Sequence, residues 1–254
     1  MNQPIEIITS PTNALIKSLK SLERKKGRSE TGLFLAEGAR LVEQGLEQGW
    51  KAETLVIAST MAERPHLAAL ARRATAAGAR VVQAPERLMS KITHKDNAQS
   101  VIASFQQAHR PLTALDAKSD GIWIALYEVR DPGNLGTILR TADCAGAQGV
   151  ILLGSIFDMP FANATFEQFN AWRQAGQMSL TAASVNGTVR HDAAPFGQRA
   201  VIIMGNEQAG LPDPIEAECD TLALIPMRGG ADSLNLAQAT AIMTYEAWRQ
   251  RNFQ

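Results

Sequence analysis

The sequence predicts an α/β protein in which a small mixed domain precedes a larger domain built on a parallel sheet. Short apolar runs alternate with helical patterns over the first hundred residues, and longer, nearly continuous apolar runs follow from residue 121. Such continuous runs are expected of parallel strands that are covered on both faces. We therefore predict domains at residues 1–106 and 121–254, joined by a polar linker at 107–120.

The first domain shows short elements of both kinds. Residues 35–48 place Leu35, Ala39, Val42 and Leu46 on one face of a predicted helix. The other predicted elements are a strand at 55–58, a helix at 66–77, a strand after Gly78, a helix that begins at Pro85 and a strand at 100–105.

The second domain has longer and more apolar strands. They are predicted at 123–129, 149–154, 199–205 and 221–227, with helices at 135–146 and 234–251. In α/β domains of this kind the functional loops lie at the carboxyl ends of the strands.

Charge is unevenly distributed, although the net charge is zero. Residues 1–110 contain 16 Lys and Arg against 10 Asp and Glu, a net of +6, and the remainder has a net of −6. This asymmetry favours a polyanionic partner for the first part. The sequence shows no signal peptide and no apolar run of roughly 18 residues, so we predict a cytoplasmic protein.

Cysteine and histidine usage predicts neither disulfides nor a metal site. Cys144 and Cys219 are the only cysteines, and the four histidines are scattered. Both patterns lack the spacing of a disulfide framework or of metal ligands.

Three segments of the second domain combine strand ends with polar residues. In the first, a turn at 131–134 leads into a helix that carries Arg140 six residues after Asn134. The second is a glycine-containing turn at 204–212, and the third is a loop at 225–235 before a long helix. Each has a purely structural alternative, since Asp, Ser and Asn cap helices and Gly and Pro make turns.

Together the segments resemble the three motifs of the SpoU (TrmH-like) methyltransferases of the SPOUT superfamily, in their usual order. The N-x-G-x-x-x-R pattern is present at 134–140, G-N-E-x-x-G-L at 205–211 and I-P-M…S-L-N at 225–235. Residues 10–28 and 32–46 are similar to the substrate-binding module of the family, which is L30e-like. The resemblance therefore extends over nearly the whole chain.

The resemblance implies a trefoil-knotted SPOUT catalytic domain preceded by a small L30e-like α/β domain, working as a homodimer. It implies transfer of a methyl group from S-adenosylmethionine to a ribose 2′-hydroxyl in structured RNA, with ribosomal RNA favoured over transfer RNA. The cofactor would be held mainly by backbone groups of Met204, Gly205, Ile225, Pro226, Met227 and Leu234.

The resemblance also implies the catalytic residues. Arg140 would lie nearest the hydroxyl, and because arginine stays protonated, we expect it to orient the hydroxyl and stabilise the forming alkoxide while a neighbouring phosphate takes the proton. Asn134 and Glu207 would position Arg140 or the ribose, and Ser233 and Asn235 would complete the pocket.

A basic cluster in the first domain is the predicted RNA-binding surface. Cations along a helix and the loop after it can follow a phosphate backbone, although such a run is also typical of a solvated helix face. The residues are Lys17, Lys20, Arg24, Lys25, Lys26 and Arg28.

The chain departs from the family pattern after Gly154. The family has a further stretch of about a helix there, and residues 153–160 are too few for a parallel crossover of a dozen residues. Either residues are missing from the sequence, or the deletion is real, or the strand expected at 158–161 does not form.

The departure keeps other functions open. The main alternative is a catalytically impaired SpoU-like protein that only binds RNA. A SPOUT enzyme that methylates a base is disfavoured by Arg140, and a small-molecule nucleotide enzyme by the lack of a phosphate-binding Gly-x-x-x-x-Gly-Lys loop.

Overall fold

The computed structural model describes residues 5–93, 99–107, 111–154, 162–230 and 233–254. The chain divides into two compact units, Met1–Ala108 and His109–Gln254.

Unit 1 contains a five-stranded mixed sheet in the order β1-β4-β3-β5-β2. Its strands β1 and β3 are parallel to β4, whereas β5 is antiparallel to both β3 and β2. The elements are β1 (Glu6–Ile7), α1 (Ala14–Ser21), α2 (Lys25–Thr31), β2 (Leu33–Glu37), α3 (Ala39–Glu47), β3 (Ala52–Ala58), α4 (Pro65–Ala76), β4 (Arg80–Ala84), α5 (Glu86–Thr93) and β5 (Val101–Gln106). The strands predicted at 55–58, after Gly78 and at 100–105, and the helices at 66–77 and from Pro85, are confirmed.

The helix predicted at 35–48 is wrong in its first residues. Leu35 belongs to β2 and pairs with Ser104 of β5. Along β2, Leu35 packs into the core on one face of the sheet and Ala36 into the core on the other, which is the alternation of a strand. Gly38, with φ 97°, then allows the chain to turn into α3.

Unit 2 is built on a seven-stranded sheet in the order β10-β12-β9-β11-β6-β7-β8. All its strand pairs are parallel, as predicted. The elements are a 3₁₀ turn (Leu112–Ala114), β6 (Gly121–Tyr127), α6 (Pro132–Cys144), β7 (Gly149–Leu153), β8 (Ala162–Ala164), α7 (Phe166–Ala175), β9 (Ser179–Ala183), β10 (Val189–Arg190), β11 (Arg199–Met204), α8 (Asp213–Glu216), β12 (Thr221–Leu224) and α9 (Leu236–Arg249).

Each face of this sheet is covered by its own helices. Ile124 of β6 belongs to a core that includes α6 and α9, whereas its neighbour Trp123 packs with Phe169 of α7 on the opposite face. Leu112 is buried in this second core, and the carbonyl of Leu115 accepts a hydrogen bond from Trp172 Nε1 at 3.3 Å. The residues from 111 onwards, expected to be a linker, therefore pack against unit 2.

Strand β9 has no counterpart among the predicted elements. Its sequence, SLTAA, contains Ser179 and Thr181 and so lacks a continuous apolar run, yet Thr181 is fully buried. The strand pairs with β11 on one side and β12 on the other. Its carboxyl end therefore lies between the strands that carry the second and third motifs.

The expectation that the chain after Gly154 is too short for a parallel crossover is wrong. Strand β8 pairs in parallel with β7, with Ile151 opposite Ala162 and Leu153 opposite Ala164. The chain has to return by only two residues along the sheet, about 7 Å. The intervening residues 154–161 can extend over roughly 26–29 Å, which is ample. The strand expected at 158–161 lies outside the described residues.

Candidate functional site

The three motif segments leave the sheet at the same edge. They follow β6, β11 and β12, and β6 and β11 are neighbours, with Leu126 opposite Met204 at their carboxyl ends. The predicted convergence of the three segments is thus a consequence of the parallel topology.

A chain of two side-chain hydrogen bonds joins the segments directly. Asn235 Nδ2 donates to Asn134 Oδ1 at 3.0 Å, and Asn134 Nδ2 donates to Glu207 Oε1 at 3.2 Å. Asn134, in the middle, is only 8% exposed. Residues that are 73 and 101 positions apart in the sequence are therefore held in fixed contact.

The Glu207 carboxylate is an anchor for the first motif. Its Oε2 accepts the backbone N–H of Arg130 at 3.4 Å, and its Oε1 accepts that of Asp131 at 3.2 Å. Burial alone raises the pKa of Glu207, but hydrogen bonds from its own backbone, from Asn134 and from the backbone of Asp131 and Arg130 outweigh this and lower it. Glu207 is therefore an anion at neutral pH.

The helix-cap interpretation of these residues is also correct. Asp131 accepts the N–H groups of Gly133 and Asn134 at the start of α6. Asn235 Oδ1 accepts the N–H of Ala237 at 2.9 Å at the start of α9, while its Nδ2 bonds to Asn134. One amide group thus both caps a helix and joins the network, and the two interpretations do not compete.

Asn206, which the sequence interpretation passed over, fastens the second loop to the first. Its backbone pairs with Gly210 in both directions at 2.9 Å, and its side chain donates to the carbonyl of Glu128 at 2.8 Å. Glu128 has φ 48°, an unfavourable conformation for a residue with a side chain. Asn206 is the asparagine of the G-N-E pattern, and this position is the signal that could have identified it.

A cavity of about 350 Å³ opens between the ends of β9, β11 and β12 and the start of α9. Of the predicted cofactor residues, Met204, Gly205, Ile225, Met227 and Leu234 line it, whereas Pro226 is exposed and does not. Sequence patterns gave no indication of its far wall, which contains residues 183–186 and Glu216.

The cavity suits a nucleoside-like cofactor. Its volume lies within the usual range for small-molecule sites. A Cβ atom on Gly205 would come 2.3 Å from the carbonyl carbon of Gly210, so only glycine permits this approach of two backbone segments. Among the described residues, no backbone hydrogen bond outside the strands and helices involves residues 225–228, which leaves their polar groups available to a ligand. The charged residues in the described part of the lining, Glu207 and Glu216, are both acidic, which suits a cationic sulfonium.

A second cavity of about 500 Å³ adjoins the first. The predicted residues Asn134, Glu207, Ser233 and Asn235 line it, and so does Arg130, which was not predicted. Among the lining residues that the structure describes in the two cavities, Arg130 is the single cation. The residues that both cavities share are Asn206, Glu207, Gln208, Ser233, Leu234 and Leu236.

Within a single subunit, Arg140 lies apart from the residues that line the two cavities. It lies on α6, is exposed, and lines neither cavity. Six helical residues carry it about 240° around the axis from Asn134, because each residue turns the helix by about 100°. The network therefore assembles on one face of α6 and Arg140 points from another.

The basic cluster of unit 1 is exposed except at its last member. Lys17, Lys20, Arg24, Lys25 and Lys26 lie at the surface of α1, α2 and the turn between them. Arg28 is half-buried, and its Nη1 donates to the carbonyls of Leu22 and Glu23 at 3.1 and 2.8 Å. Arg28 thus closes the end of α1, a structural role that its charge alone does not reveal.

The described ranges contain neither a candidate metal site nor a candidate membrane span. No three His, Cys, Asp or Glu side chains are grouped there so as to hold a metal ion. None of the helices described has the length and apolar character needed to cross a membrane.

The fold and the paired cavities define an α/β protein whose site lies at the carboxyl edge of a parallel sheet, where this class binds nucleotide-like ligands. Residues 153–245 match the model of the SpoU rRNA Methylase family, and residues 13–103 match that of the MRM3-like substrate binding domain.

Several rRNA methyltransferases align with most of the chain. The crystal structure of an S-adenosylmethionine-bound rRNA methyltransferase from Sinorhizobium meliloti is 40% identical, with a TM-score of 0.90, over 97% of this chain and 98% of that one. A 23S rRNA (guanosine-2′-O-)-methyltransferase from Ralstonia nicotianae is 31% identical over 71% of this chain and 81% of its own length. A 23S rRNA (uridine(2479)-2′-O)-methyltransferase from Streptomyces viridochromogenes is 28% identical over 91% and 87%. The chain belongs to the SpoU rRNA methylase family.

Proposed function

We propose that this protein transfers the methyl group of S-adenosylmethionine to a ribose 2′-hydroxyl of ribosomal RNA. The observation that carries the proposal is the pair of adjoining cavities, one anionic with a mixed polar and apolar lining, the other mainly polar, with a common wall at Glu207 and Ser233. A methyl donor in the first and a ribose in the second would meet at that wall. Methyl transfer needs such a contact, because the oxygen must approach the methyl carbon in line with the bond that breaks.

The side chains of the second cavity support binding and orientation of the ribose. When bound, S-adenosylmethionine supplies an electrophilic methyl group on a cationic sulfur. Asn134 and Asn235, held by Glu207, present fixed amide groups to the ribose, and Ser233 presents a hydroxyl. Because these groups are already ordered, little reorganisation is needed when the substrate enters.

The choice of ribosomal RNA rests on the relatives that cover most of the chain and on the charge of the first domain. Two of the relatives named above, from Ralstonia nicotianae and Streptomyces viridochromogenes, are 23S rRNA 2′-O-methyltransferases. The exposed cations of α1 and α2 are suited to phosphate recognition. We further propose an L30e-like substrate-binding domain at 1–106, a trefoil-knotted catalytic domain at 121–254, a connecting segment at 107–120 that packs against the catalytic domain from residue 111 onwards, and a cytoplasmic location.

A methyl-transfer assay tests the proposal. The purified protein, incubated with tritiated S-adenosylmethionine and ribosomal RNA from cells that lack it, should label the RNA, and nuclease digestion should release the label as a 2′-O-methylnucleoside. Labelled base would instead support a base methyltransferase. RNA binding without labelling would support the catalytically impaired alternative. No feature of the described structure supports that alternative.

We also propose a homodimer in which Arg140 acts on the site of the partner subunit. Arg140 is exposed on α6, which packs against α9. At the end of α9 the half-buried Trp248 contacts two exposed aromatic side chains, Tyr245 and Phe253, with ring centroids 5.5 and 5.1 Å apart. Exposed aromatic groups of this kind are enriched in interfaces.

Complementation between variants tests this arrangement. Arg140→Ala and Asn235→Ala should each be inactive alone. If Arg140 acts across the interface, mixed dimers contain one intact site, and an equal mixture should recover about a quarter of wild-type activity. The mixture should be unfolded and refolded together so that subunits exchange. A mixture as inactive as its parents would contradict action across a dimer.

Arg130 is expected to bind an RNA phosphate next to the target ribose. Every internal ribose carries a phosphodiester on the oxygen beside its 2′-hydroxyl, and Arg130 is a cation that lines the ribose cavity. Its ion pair with Glu128, at 3.7 Å, is exposed and weak, so a phosphate can replace it. Arg130→Gln should weaken RNA binding and lower the slope of log affinity against log salt by about 0.7–0.9.

The matched control is Arg190→Gln, since Arg190 lines neither cavity. It should leave the salt slope measured by filter binding unchanged. An Arg130→Gln protein with the wild-type slope would remove Arg130 from phosphate recognition.

A further inference from the structure

The wall of the first cavity that lies away from the second carries a carboxylate that belongs to none of the three motifs. Glu216, the last residue of α8, and Ser184, which follows β9, both line the first cavity and not the second. Ser184 Oγ donates to Glu216 Oε1 at 2.6 Å and accepts the backbone N–H of Asn186 at 3.1 Å. The carboxylate is therefore held in one orientation by a side chain that is itself fixed.

Glu216 retains an unused acceptor. Its Oε1 is bonded to Ser184, whereas its Oε2 accepts no hydrogen bond from any residue in the described part of the chain. The other acidic lining residue, Glu207, differs in this respect, since both of its oxygens accept hydrogen bonds from the first motif. Because Glu216 is half-buried, water can satisfy its Oε2 atom only in part.

We propose that Glu216, oriented by Ser184, binds S-adenosylmethionine by accepting hydrogen bonds from its hydroxyl or ammonium groups. This inference rests on the proposed function. The transferable methyl group has to face the second cavity, so the remainder of the cofactor extends towards the wall formed by Ser184 and Glu216. Carboxylates accept hydrogen bonds from ribose hydroxyls in other nucleotide sites and form charge-assisted bonds with ammonium groups.

The electrostatics of the cavity favour the same assignment. The described residues of its lining include Glu207 and Glu216 and no cation, whereas the cofactor carries a positive sulfur and a positive ammonium group. Since Glu207 is occupied by the protein, Glu216 is the carboxylate of the described lining that remains to neutralise the ligand.

Calorimetric binding of two ligands tests the proposal. S-adenosylhomocysteine contains the adenosine and amino-acid parts of the cofactor, and 5′-methylthioadenosine lacks the amino-acid part. Glu216→Gln should bind S-adenosylhomocysteine about tenfold more weakly than wild type or worse, because a charged hydrogen bond is lost. Ser184→Ala should weaken it less, by a few-fold, because the carboxylate remains but is less ordered.

The second ligand identifies the group that Glu216 binds. If Glu216 accepts from the ribose hydroxyls, Glu216→Gln weakens both ligands, and if it binds the ammonium group, only S-adenosylhomocysteine is affected. Both results support the proposal.

Glu218→Gln is the matched control, because Glu218 is nearby but does not line the cavity. It should bind both ligands like wild type. Thermal unfolding without ligand separates a structural role from a binding role. Glu216→Gln with an affinity within twofold of wild type would overturn the proposal, whatever its stability. A wild-type protein that fails to bind S-adenosylhomocysteine would instead overturn the proposed function.

Discussion

Replacing Glu207 by alanine is expected to lower the rate of methyl transfer about a hundredfold, because small displacements of positioning groups have effects of that size. The substitution removes the acceptor for Asn134 Nδ2 and for the backbone N–H groups of Arg130 and Asp131. Asn134 then keeps only the hydrogen bond from Asn235, whose own amide stays fixed by the backbone N–H groups of α9, so the Asn134 amide and the loop at 130–131 can shift. Single-turnover labelling of RNA at saturating cofactor measures this loss separately from cofactor affinity.

Glu207→Gln is the matched variant, since it keeps the shape of the side chain and one acceptor oxygen. Its rate should lie between those of wild type and Glu207→Ala. An alanine variant that is folded and transfers methyl groups at the wild-type rate would show that the hydrogen-bonded network is structural only.

The difference in stability between wild type and Glu207→Gln should depend on pH. Folding lowers the pKa of Glu207 below its ordinary value of 4.5. A group with a lowered pKa stabilises the folded state above its unfolded-state pKa, and this contribution is lost as the pH falls through the folded-state pKa. The difference in unfolding free energy between wild type and Glu207→Gln should therefore be constant near neutral pH and shrink below about pH 4.5.

The second large effect is expected from Gly205→Ala. The added Cβ would lie 2.3 Å from the carbonyl carbon of Gly210 and 2.5 Å from the backbone nitrogen of Leu211, so backbone has to move. The paired hydrogen bonds between Asn206 and Gly210 then open, and the wall shared by the two cavities shifts. We expect destabilisation of about 1–3 kcal/mol. Affinity for S-adenosylhomocysteine should fall about tenfold or more, because a loss of binding free energy of about the same size corresponds to a factor of that order.

Gly197→Ala provides the control, because the nearest atoms to its added Cβ are 3.7 Å away, an ordinary contact. Denaturant unfolding and calorimetry should find both quantities close to wild type. If Gly205→Ala matched this control in both measurements, the close packing of the two backbone segments would be unimportant for the cofactor cavity.

The sequence alone was sufficient for the features that depend on local pattern. Continuous apolar runs predicted four of the parallel strands, since a strand covered on both faces has no polar side. The three polar segments that follow strands predicted where the site lies, because parallel strands place their carboxyl ends at one edge of the sheet. Five of the six cofactor residues that the family resemblance implied line the cavity at this edge.

Only the tertiary structure decided the features that depend on distant neighbours. Strand β9 is short and interrupted by hydroxyl groups, and it exists because β11 and β12 hydrogen-bond to it from both sides. Its carboxyl end then carries Ser184 to Glu216 across 32 residues of sequence, a contact that no local pattern contains. The rotation of α6 likewise turns Asn134 inward and Arg140 outward, because the buried side of the helix is set by packing against the sheet and α9. Spacing along a chain identifies which residues belong to a motif, whereas the direction in which each side chain points is determined by what packs around it.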